Sequence, residues 1–134
     1  MAQDDLVIDP WGSAQSTDYD RIIEQFGLTS MTGVSLSNPS KLHRRGIVFA
    51  HRDVDQVVEA QRTGSPFGVL TGLMPSGQMH LGHSMVVEQA RWFQENGGDV
   101  TIAVADLESQ ATRGVSLSKG REVALREYIA HYAA

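Results

Sequence analysis

The chain contains no cysteine, and this absence removes several classes of function at once. It excludes disulfide bonds, zinc sites built on thiolates and any mechanism with a cysteine nucleophile. Basic residues are also outnumbered: 11 Lys and Arg stand against 16 Asp and Glu, which gives a net charge of −5. This balance argues against a dedicated nucleic-acid-binding domain, although a local basic patch could still contact RNA.

Long apolar runs are missing too, so no segment is predicted to cross a membrane. The acidic N-terminus, Met-Ala-Gln-Asp-Asp, lacks the basic and apolar regions of a signal peptide. We therefore expect a cytoplasmic protein with no membrane partner. The 134 residues, 41% of them hydrophobic, suffice for one domain or for half of a larger one.

The hydrophobic pattern predicts alternating strands and helices. Strands are predicted over residues 46–50, 67–71 and 100–105, helices over 19–26, 53–63, 81–96 and from 118 onward, and loops over 29–41 and 109–117. The predicted helix caps are Thr17 or Asp18, Asp53 and Ser118. In the last helix the predicted apolar stripe consists of Leu125, Ile129 and Tyr132.

From residue 67 onward, the order strand, helix, strand, helix is typical of a doubly wound parallel sheet with right-handed crossovers. We predict an α/β fold in which residues 67–134 form the first half of a Rossmann-like sheet. Residues 1–66 are predicted to be a small helical and β N-terminal extension. Because two core strands are too few for a complete sheet, we expect the sequence to be the front part of a longer protein.

The most informative segment runs from Gly72 to His83, with the sequence Gly-Leu-Met-Pro-Ser-Gly-Gln-Met-His-Leu-Gly-His, between a predicted strand and a predicted helix. Backbone amides at such a turn and at a helix N-terminus attract phosphate oxygens. Gly82 would let a nucleotide approach the backbone closely. His80 and His83 could donate hydrogen bonds to phosphate oxygens as charge develops in a transition state.

Two other interpretations of the histidine pair remain open. Histidines three residues apart on one helix face can share a metal ion, but no neighbouring carboxylate completes a ligand set, so no metal site is predicted. The pair could also be polar surface at a capped helix start, with no chemical role.

His80-Leu81-Gly82-His83 matches the His-x-Gly-His signature of class I aminoacyl-tRNA synthetases and related nucleotidyltransferases. The chain also resembles archaeal and eukaryotic tryptophanyl-tRNA synthetases at residues 9–11 and 18–23, and at 49–53, which is similar to that family's Phe-Ser-His-Arg-Asp segment. Within 49–53, His51 and Arg52 are interpreted as structural, with Arg52 tying the N-terminal segment to the core. The spacing from there to Thr71-Gly72 fits as well, so we interpret the chain as similar to the N-terminal portion of such an enzyme.

Some positions depart from the family pattern. Leu70 stands where the family usually has a tyrosine that contacts tryptophan, and Ala103 replaces a glutamine that helps to hold the amino acid. Glu108 fits the family's glutamate. Residues 105–107, Ala-Asp-Leu, look more like the bacterial tryptophanyl and tyrosyl enzymes. ATP handling is therefore better supported than the choice of tryptophan.

The resemblance implies ATP-dependent activation of tryptophan to the aminoacyl-adenylate, followed by transfer to tRNA. The implied catalytic residues are His80 and His83; the implied ATP contacts are Thr71, Gly72, Pro75, Ser76 and Gly82; the implied amino-acid contacts are Leu70, Ala103, Asp106 and Glu108. Asp106 and Glu108 are predicted to end a strand, at the edge where α/β sheets bind ligands. Mg²⁺ would enter with ATP, tryptophan and tRNA(Trp) would be the partners, and the full-length protein would be a homodimer.

The alternatives are a tyrosyl-tRNA synthetase-like enzyme, another His-x-Gly-His nucleotidyltransferase, or a non-catalytic nucleotide-binding module. The second class I signature, Lys-Met-Ser-Lys-Ser, does not occur in the sequence. Residues 116–120, Ser-Leu-Ser-Lys-Gly, resemble it only faintly and are interpreted as a helix cap. We therefore expect weak activation and no efficient tRNA charging by residues 1–134 alone.

Overall fold

The computed structural model describes residues 18–134. The backbone contacts divide the chain into two compact units, residues 1–58 and 59–134. The predicted division into residues 1–66 and 67–134 stays a prediction. Thr17 and the segment 9–11, on which part of the resemblance rests, lie outside the described residues.

The described part of the first unit begins with helix α1, Tyr19–Gln25. Asp18 caps it as predicted, because its carboxylate accepts a hydrogen bond from the Arg21 amide at 3.0 Å. The predicted role of Arg52 also has a structural counterpart, since its guanidinium donates to the Phe26 carbonyl at the end of α1 at 2.6 Å. Arg52 therefore fastens α1 to the segment that follows strand β2, Ala50–His51.

Two predictions for this unit are wrong. Residues 29–41 are not wholly a loop, since Thr29–Ser30 forms strand β1, which pairs with β2 in an antiparallel ladder. The predicted strand over 46–50 is reduced to β2, because residues 45–47 still bond back to a short helix α2, Lys41–Arg44. Ser40 caps α2, and His43 returns the hydrogen bond to the Ser40 amide at 3.2 Å.

Helix α3, Val54–Thr63, follows β2 and runs from the first unit into the second. Its first amide, of Val54, donates to His51 Nδ1 at 3.2 Å. Asp53, the predicted cap, instead occupies a left-handed backbone conformation with φ of 60°. The side chain that accepts from the first amide of this helix is thus His51, two positions before the predicted cap.

The second unit contains the predicted strand–helix–strand arrangement. Strand β3, Phe67–Leu73, and strand β4, Gly98–Val104, are parallel and joined through helix α4, Leu81–Glu95. Along both strands, half-buried and exposed residues alternate. At Gly98 an added Cβ would lie 3.0 Å from the Phe93 carbonyl, which places α4 on the half-buried face.

The chain becomes helical sooner after β4 than predicted. Helix α5, Asp106–Arg113, begins two residues after the strand, so the loop predicted over 109–117 shrinks to a short turn at Gly114. Helix α6, Leu117–Val123, is capped by Ser116, whose hydroxyl accepts from the Lys119 amide at 3.3 Å, and not by Ser118. A π-helical segment, Ala124–Ile129, and helix α7, Ala130–Ala133, continue it.

The predicted apolar stripe of the last helix is wrong for Leu125 and Ile129, whereas its third member, Tyr132, is half-buried. Leu125 is 64% exposed and Ile129 46%, whereas the buried positions are Gly120, Ala124 and Tyr128. These residues recur every four positions, and two of them are small, so this helical run can pack closely. The prediction favoured bulky aliphatic residues and missed a buried face built from small ones. Among residues 18–134, no helix is long and apolar enough to span a membrane.

The register of the sheet leaves no room for a side chain at Gly72, which pairs with Ala103. A Cβ there would come within 2.6 Å of the Ala103 carbonyl oxygen. We expect Gly72→Ala to lower the free energy of unfolding by about 1–3 kcal/mol, because backbone must shift to admit the methyl group. Urea unfolding of the chain, followed by tryptophan fluorescence, measures this loss.

Gly68→Ala is the matched control, since Gly68 lies on the same strand and the same exposed face with nothing within 4 Å of its Cβ position. It should leave stability unchanged or raise it by about 0.5–1 kcal/mol. Equal unfolding midpoints for the two variants would contradict the close approach at Gly72.

Candidate functional site

The turn between β3 and α4 carries the predicted phosphate-binding residues, and it divides into a buried and an exposed half. Pro75 is fully buried, whereas Ser76 and Gly77 are exposed. The Ser76 amide donates to the Met74 carbonyl at 2.8 Å, which closes the turn. The exposed half of the turn thus rests on an anchored proline.

His80 and His83 form a reciprocal cap at the start of α4. His80 is the N-cap residue in an extended conformation, and its Nδ1 accepts from the Gly82 amide at 3.2 Å. His83 Nδ1 in turn accepts from the His80 amide at 3.2 Å. The arrangement is a capping box in which imidazole nitrogens take the places usually filled by Ser or Thr and Glu or Gln.

This cap fixes the protons of both rings. A neutral imidazole carries one N–H, and a nitrogen that accepts a hydrogen bond cannot hold it. Because both Nδ1 atoms accept, both Nε2 atoms are donors. The histidines therefore cap the helix, as one of the alternative interpretations of the pair holds. The cap also makes the free edge of each ring a hydrogen-bond donor.

Gly82 lies close against the cap. A Cβ at this position would lie 3.0 Å from Cε1 and 3.1 Å from Nδ1 of the His80 ring. Besides the predicted close approach of a nucleotide, the structure thus supplies a further reason for glycine, because a side chain would press on the ring that caps the helix.

The site lies at a helix N-terminus, where the free amides and the helix dipole disfavour positive charge and favour anions. His83 is half-buried, and this burial, together with the neighbouring His80, lowers its pKa from the ordinary value of 6.5. At neutral pH, His83 is therefore an uncharged donor that keeps its cap. The arrangement can offer several N–H groups to an anion.

Two buried residues that are absent from the predicted site contact the turn and the histidine cap. Ser109 in α5 is fully buried and donates from its hydroxyl to the Pro75 carbonyl at 3.2 Å. Tyr128, in the π-helical segment, is also fully buried, and its ring meets His83 edge-on with centroids 5.6 Å apart. The hydrophobic pattern predicts a loop at Ser109 and does not include Tyr128 in the apolar stripe of the last helix. The sequence therefore gives no direct indication that either residue supports the site.

The remaining predicted ATP contact, Thr71, is half-buried near the end of β3, next to the exposed Gly72. Leu70, a predicted amino-acid contact, is 76% exposed on the same sheet face as Ala103. Ala103 pairs with Gly72 across the ladder, so Leu70 and Ala103 are diagonal neighbours. The sheet thus places side by side the two residues that depart from the family pattern.

Asp106 and Glu108 do not end a strand as predicted. β4 stops at Val104, and both carboxylates lie in the first turn of α5. Asp106 accepts from the Leu107 amide at 2.8 Å and from the Arg121 guanidinium at 3.1 Å, while Glu108 is exposed. Acidic residues favour helix N-termini, so both positions already have a structural reason. Among the described residues, no group of three His, Asp or Glu side chains converges to hold a metal ion.

Comparison with known proteins gives one consistent result. Residues 62–133 match the family described as tRNA synthetases class I (W and Y). The tryptophan–tRNA ligase of Methanosarcina acetivorans is 44% identical over 127 residues, which cover 93% of this chain and 29% of that protein. The similarity extends beyond the signature to nearly the whole sequence.

Solved structures agree with the sequence relatives. The crystal structure of tryptophanyl-tRNA synthetase from Aeropyrum pernix has a TM-score of 0.78 at 41% identity, covering 94% of this chain and 36% of its own. The enzyme from Encephalitozoon cuniculi, solved bound to tryptophan, has a TM-score of 0.68 at 28% identity, covering 81% of this chain and 33% of its own. The likeness confirms the predicted Rossmann-like α/β fold, while the chain spans only 29–36% of the first relatives' length.

The hydrogen bond from Ser109 to Pro75 should be measurable in stability. We expect Ser109→Ala to lower the free energy of unfolding by about 1–3 kcal/mol, because it leaves a carbonyl without its donor in a fully buried place. Ser118→Ala, at an exposed serine of α6, is the control and should stay within about 0.5 kcal/mol of the wild type. Urea unfolding of both variants measures the difference, and equal losses would show that the Ser109 hydroxyl contributes nothing specific.

The lowered pKa of His83 predicts a pH-dependent stability. The unfolded chain, with His83 near 6.5, binds the proton more readily than the folded chain. The free energy of unfolding should therefore fall as the pH drops below about 6.5, until the lower pKa of the folded state is reached. NMR titration of the His83 ring gives that pKa, and unfolding at several pH values gives the slope.

His83→Gln is the control, because glutamine keeps an acceptor at this position of a capping box but does not titrate. Its stability should depend less on pH than that of the wild type. A His83 ring that titrates at 6.5 or above in the folded chain would contradict the neutral cap.

Proposed function

The chain belongs to the class I tRNA synthetase family for tryptophan and tyrosine, and we propose that it carries the ATP-binding part of a tryptophan–tRNA ligase. The observation that carries the proposal is the histidine cap. It leaves two Nε2–H donors at a helix N-terminus, and this combination suits the phosphates of a nucleotide.

In the proposed reaction, a carboxylate oxygen of the amino acid attacks the α-phosphorus of ATP, the bond to the bridging oxygen breaks, and pyrophosphate leaves. The product is an aminoacyl-adenylate, from which the acyl group passes to a hydroxyl at the 3′ end of tRNA, while the acyl–phosphate bond breaks and AMP leaves with the proton of that hydroxyl. No protein nucleophile is needed, so the protein contributes positioning and stabilisation of charge. His80 and His83 would donate to the phosphate oxygens as negative charge grows on them. Mg²⁺ would enter with ATP.

The ATP-binding residues of this proposal are Thr71, Gly72, Pro75, Ser76 and Gly82. Thr71 and Gly72 lie near the end of the strand that leads into the turn, and Ser76 is an exposed residue of the turn itself. Pro75 would act indirectly, because its burial anchors the turn. Gly82 would keep the His80 ring in place and leave the backbone accessible.

Tryptophan is the proposed amino acid, because the similar proteins and structures described above are named for it. Glu108, exposed in the first turn of α5, is the carboxylate proposed to face the α-ammonium group or the indole N–H. Asp106 would have to share its carboxylate with Arg121. Leu70 and Ala103, on the open sheet face, would meet the substrate through apolar surface where the family has polar groups.

Tyrosine is the second candidate, since the family covers both amino acids and residues 105–107 resemble the bacterial enzymes of both kinds. Calorimetry of ATP binding with and without each amino acid distinguishes the candidates. A non-catalytic module, or a nucleotidyltransferase of another kind, would bind ATP without a response to either amino acid. The tRNA partner, the homodimer and the cytoplasmic location remain predictions for the complete protein.

The proposed function is tested by pyrophosphate exchange into ATP, measured on residues 1–134 and on the longest form that the gene encodes. We expect exchange that depends on tryptophan, weak for residues 1–134. His80→Asn and His83→Gln should each lower kcat by about 10²–10³, because the amide N–H groups of the new side chains do not lie where the Nε2–H donors lie. Both replacements keep a good capping residue, so the free energy of unfolding should change by about 0.5 kcal/mol or less.

Comparison of His80→Ala with His80→Asn separates capping from catalysis. His80→Ala should lower both kcat and stability, the latter by about 1 kcal/mol, whereas His80→Asn should lower only kcat. Exchange that responds to tyrosine alone would overturn the choice of amino acid. Unchanged kcat in His80→Asn and His83→Gln would reduce the histidines to a structural cap.

A further inference from the structure

We propose that Tyr128 is a positioning residue of the histidine site: its ring holds the His83 imidazole in the orientation in which Nδ1 meets the His80 amide, and this hydrogen bond keeps the proton on Nε2. The consequence for catalysis rests on the proposed function, whereas the effect on the His83 ring does not. Nothing in the sequence pattern marked Tyr128, since the predicted stripe of its helix passed beside it.

Three aromatic rings form a column that runs from the surface into the core. His80 is exposed, His83 is half-buried, and Tyr128 is fully buried. The centroids of the two imidazoles are 4.0 Å apart, and those of His83 and Tyr128 are 5.6 Å apart at 82°. His83 thus contacts two other rings, and its Nδ1 accepts a hydrogen bond from the His80 amide. A ring held by two aromatic contacts and one hydrogen bond has little freedom to flip or to exchange tautomers.

The edge-on geometry also favours a neutral imidazole held at a fixed angle. Aromatic pairs prefer this arrangement over face-to-face stacking and gain about 0.5–1.5 kcal/mol beyond the burial of area. Burial raises the pKa of the Tyr128 hydroxyl, and the nearby amides of Ser76 and Gly77 offset part of that shift. The amides approach without full hydrogen-bond geometry, since the hydroxyl has no such partner among the described residues. Tyr128 therefore touches both halves of the site, the histidine cap and the turn.

The π-helical segment explains how Tyr128 reaches this place. In a regular α-helix, residues four positions apart drift by about 40° around the axis, so a stripe with that spacing leaves the core. Bonds from i to i+5 put more residues in each turn and reverse the drift. Gly120, Ala124 and Tyr128 stay on one buried face, and the ring arrives beneath His83. Short π-helical segments are often found at functional sites.

The experiment compares three variants by NMR of the His83 ring nitrogens and by exchange kinetics. Tyr128→Met removes the ring but fills its volume with an adaptable apolar side chain. Tyr128→Phe keeps the ring and removes only the hydroxyl. Tyr132→Met is the matched control, because Tyr132 lies one turn further along, is half-buried, and likewise has a hydroxyl without a partner.

In the wild type and in Tyr128→Phe, the His83 nitrogens should report one tautomer with the proton on Nε2. In Tyr128→Met, they should move towards the average of two tautomers, and kcat for exchange should fall about tenfold while the KM for ATP changes less than twofold. Tyr132→Met should leave the tautomer and kcat unchanged.

Mixed tautomers in the wild type would overturn the proposal without any variant, so an unfolded Tyr128→Met protein does not leave it untested. A wild-type tautomer in folded Tyr128→Met, or a lost tautomer in Tyr128→Phe, would also overturn it. If Tyr128→Met changes the ring signals but no form of the protein exchanges pyrophosphate, the positioning role stands and the proposed function fails.

Discussion

The start of helix α4 depends on hydrogen bonds exchanged between two histidines, and the geometry of the site follows from that exchange. The first amides of a helix have no partner within it and must find acceptors elsewhere. Here two imidazole Nδ1 atoms accept them. The same contacts decide the tautomer, set the rings 4.0 Å apart and leave little room for a side chain at position 82. A local need of the helix thus prepares donors for a ligand.

The cap can present its donors to a ligand only if the strand, the turn and the helix stay fixed relative to one another. Buried residues beneath the turn hold them in position. Pro75 is fully buried and bonded to Ser109, and Tyr128 lies against His83. These contacts come from α5 and from the π-helical segment, both of which follow the turn by more than 30 residues. The rigidity of the site is therefore a tertiary property. Its exposed half can meet ligands while its buried half stays fixed.

Much of this arrangement could be predicted from the sequence, because local patterns determine it. The strand, glycine-rich turn and helix around His80 follow from apolar runs separated by Pro75 and Gly77, and the structure has them at nearly the predicted bounds. The failures occur where tertiary contact decides. Ser109 is polar and lies in a segment predicted to be a loop, yet it is buried, and its hydroxyl donates a hydrogen bond to the Pro75 carbonyl. Tyr128 was overlooked because the buried face beside it consists of Gly120 and Ala124, which carry no strong hydrophobic signal.

The chain contains an internal comparison that bears on why histidine occupies position 80. At α2, Ser40 is the N-cap and His43 completes the box, so serine and histidine suffice where only a helix start is needed. At α4 the same box has histidine in the serine position. Serine is among the preferred N-cap residues, and histidine is not. Capping alone would thus favour serine at position 80. What histidine adds is a second ring nitrogen whose proton the cap directs outward, in keeping with the observation that functional sites depart from local structural preference.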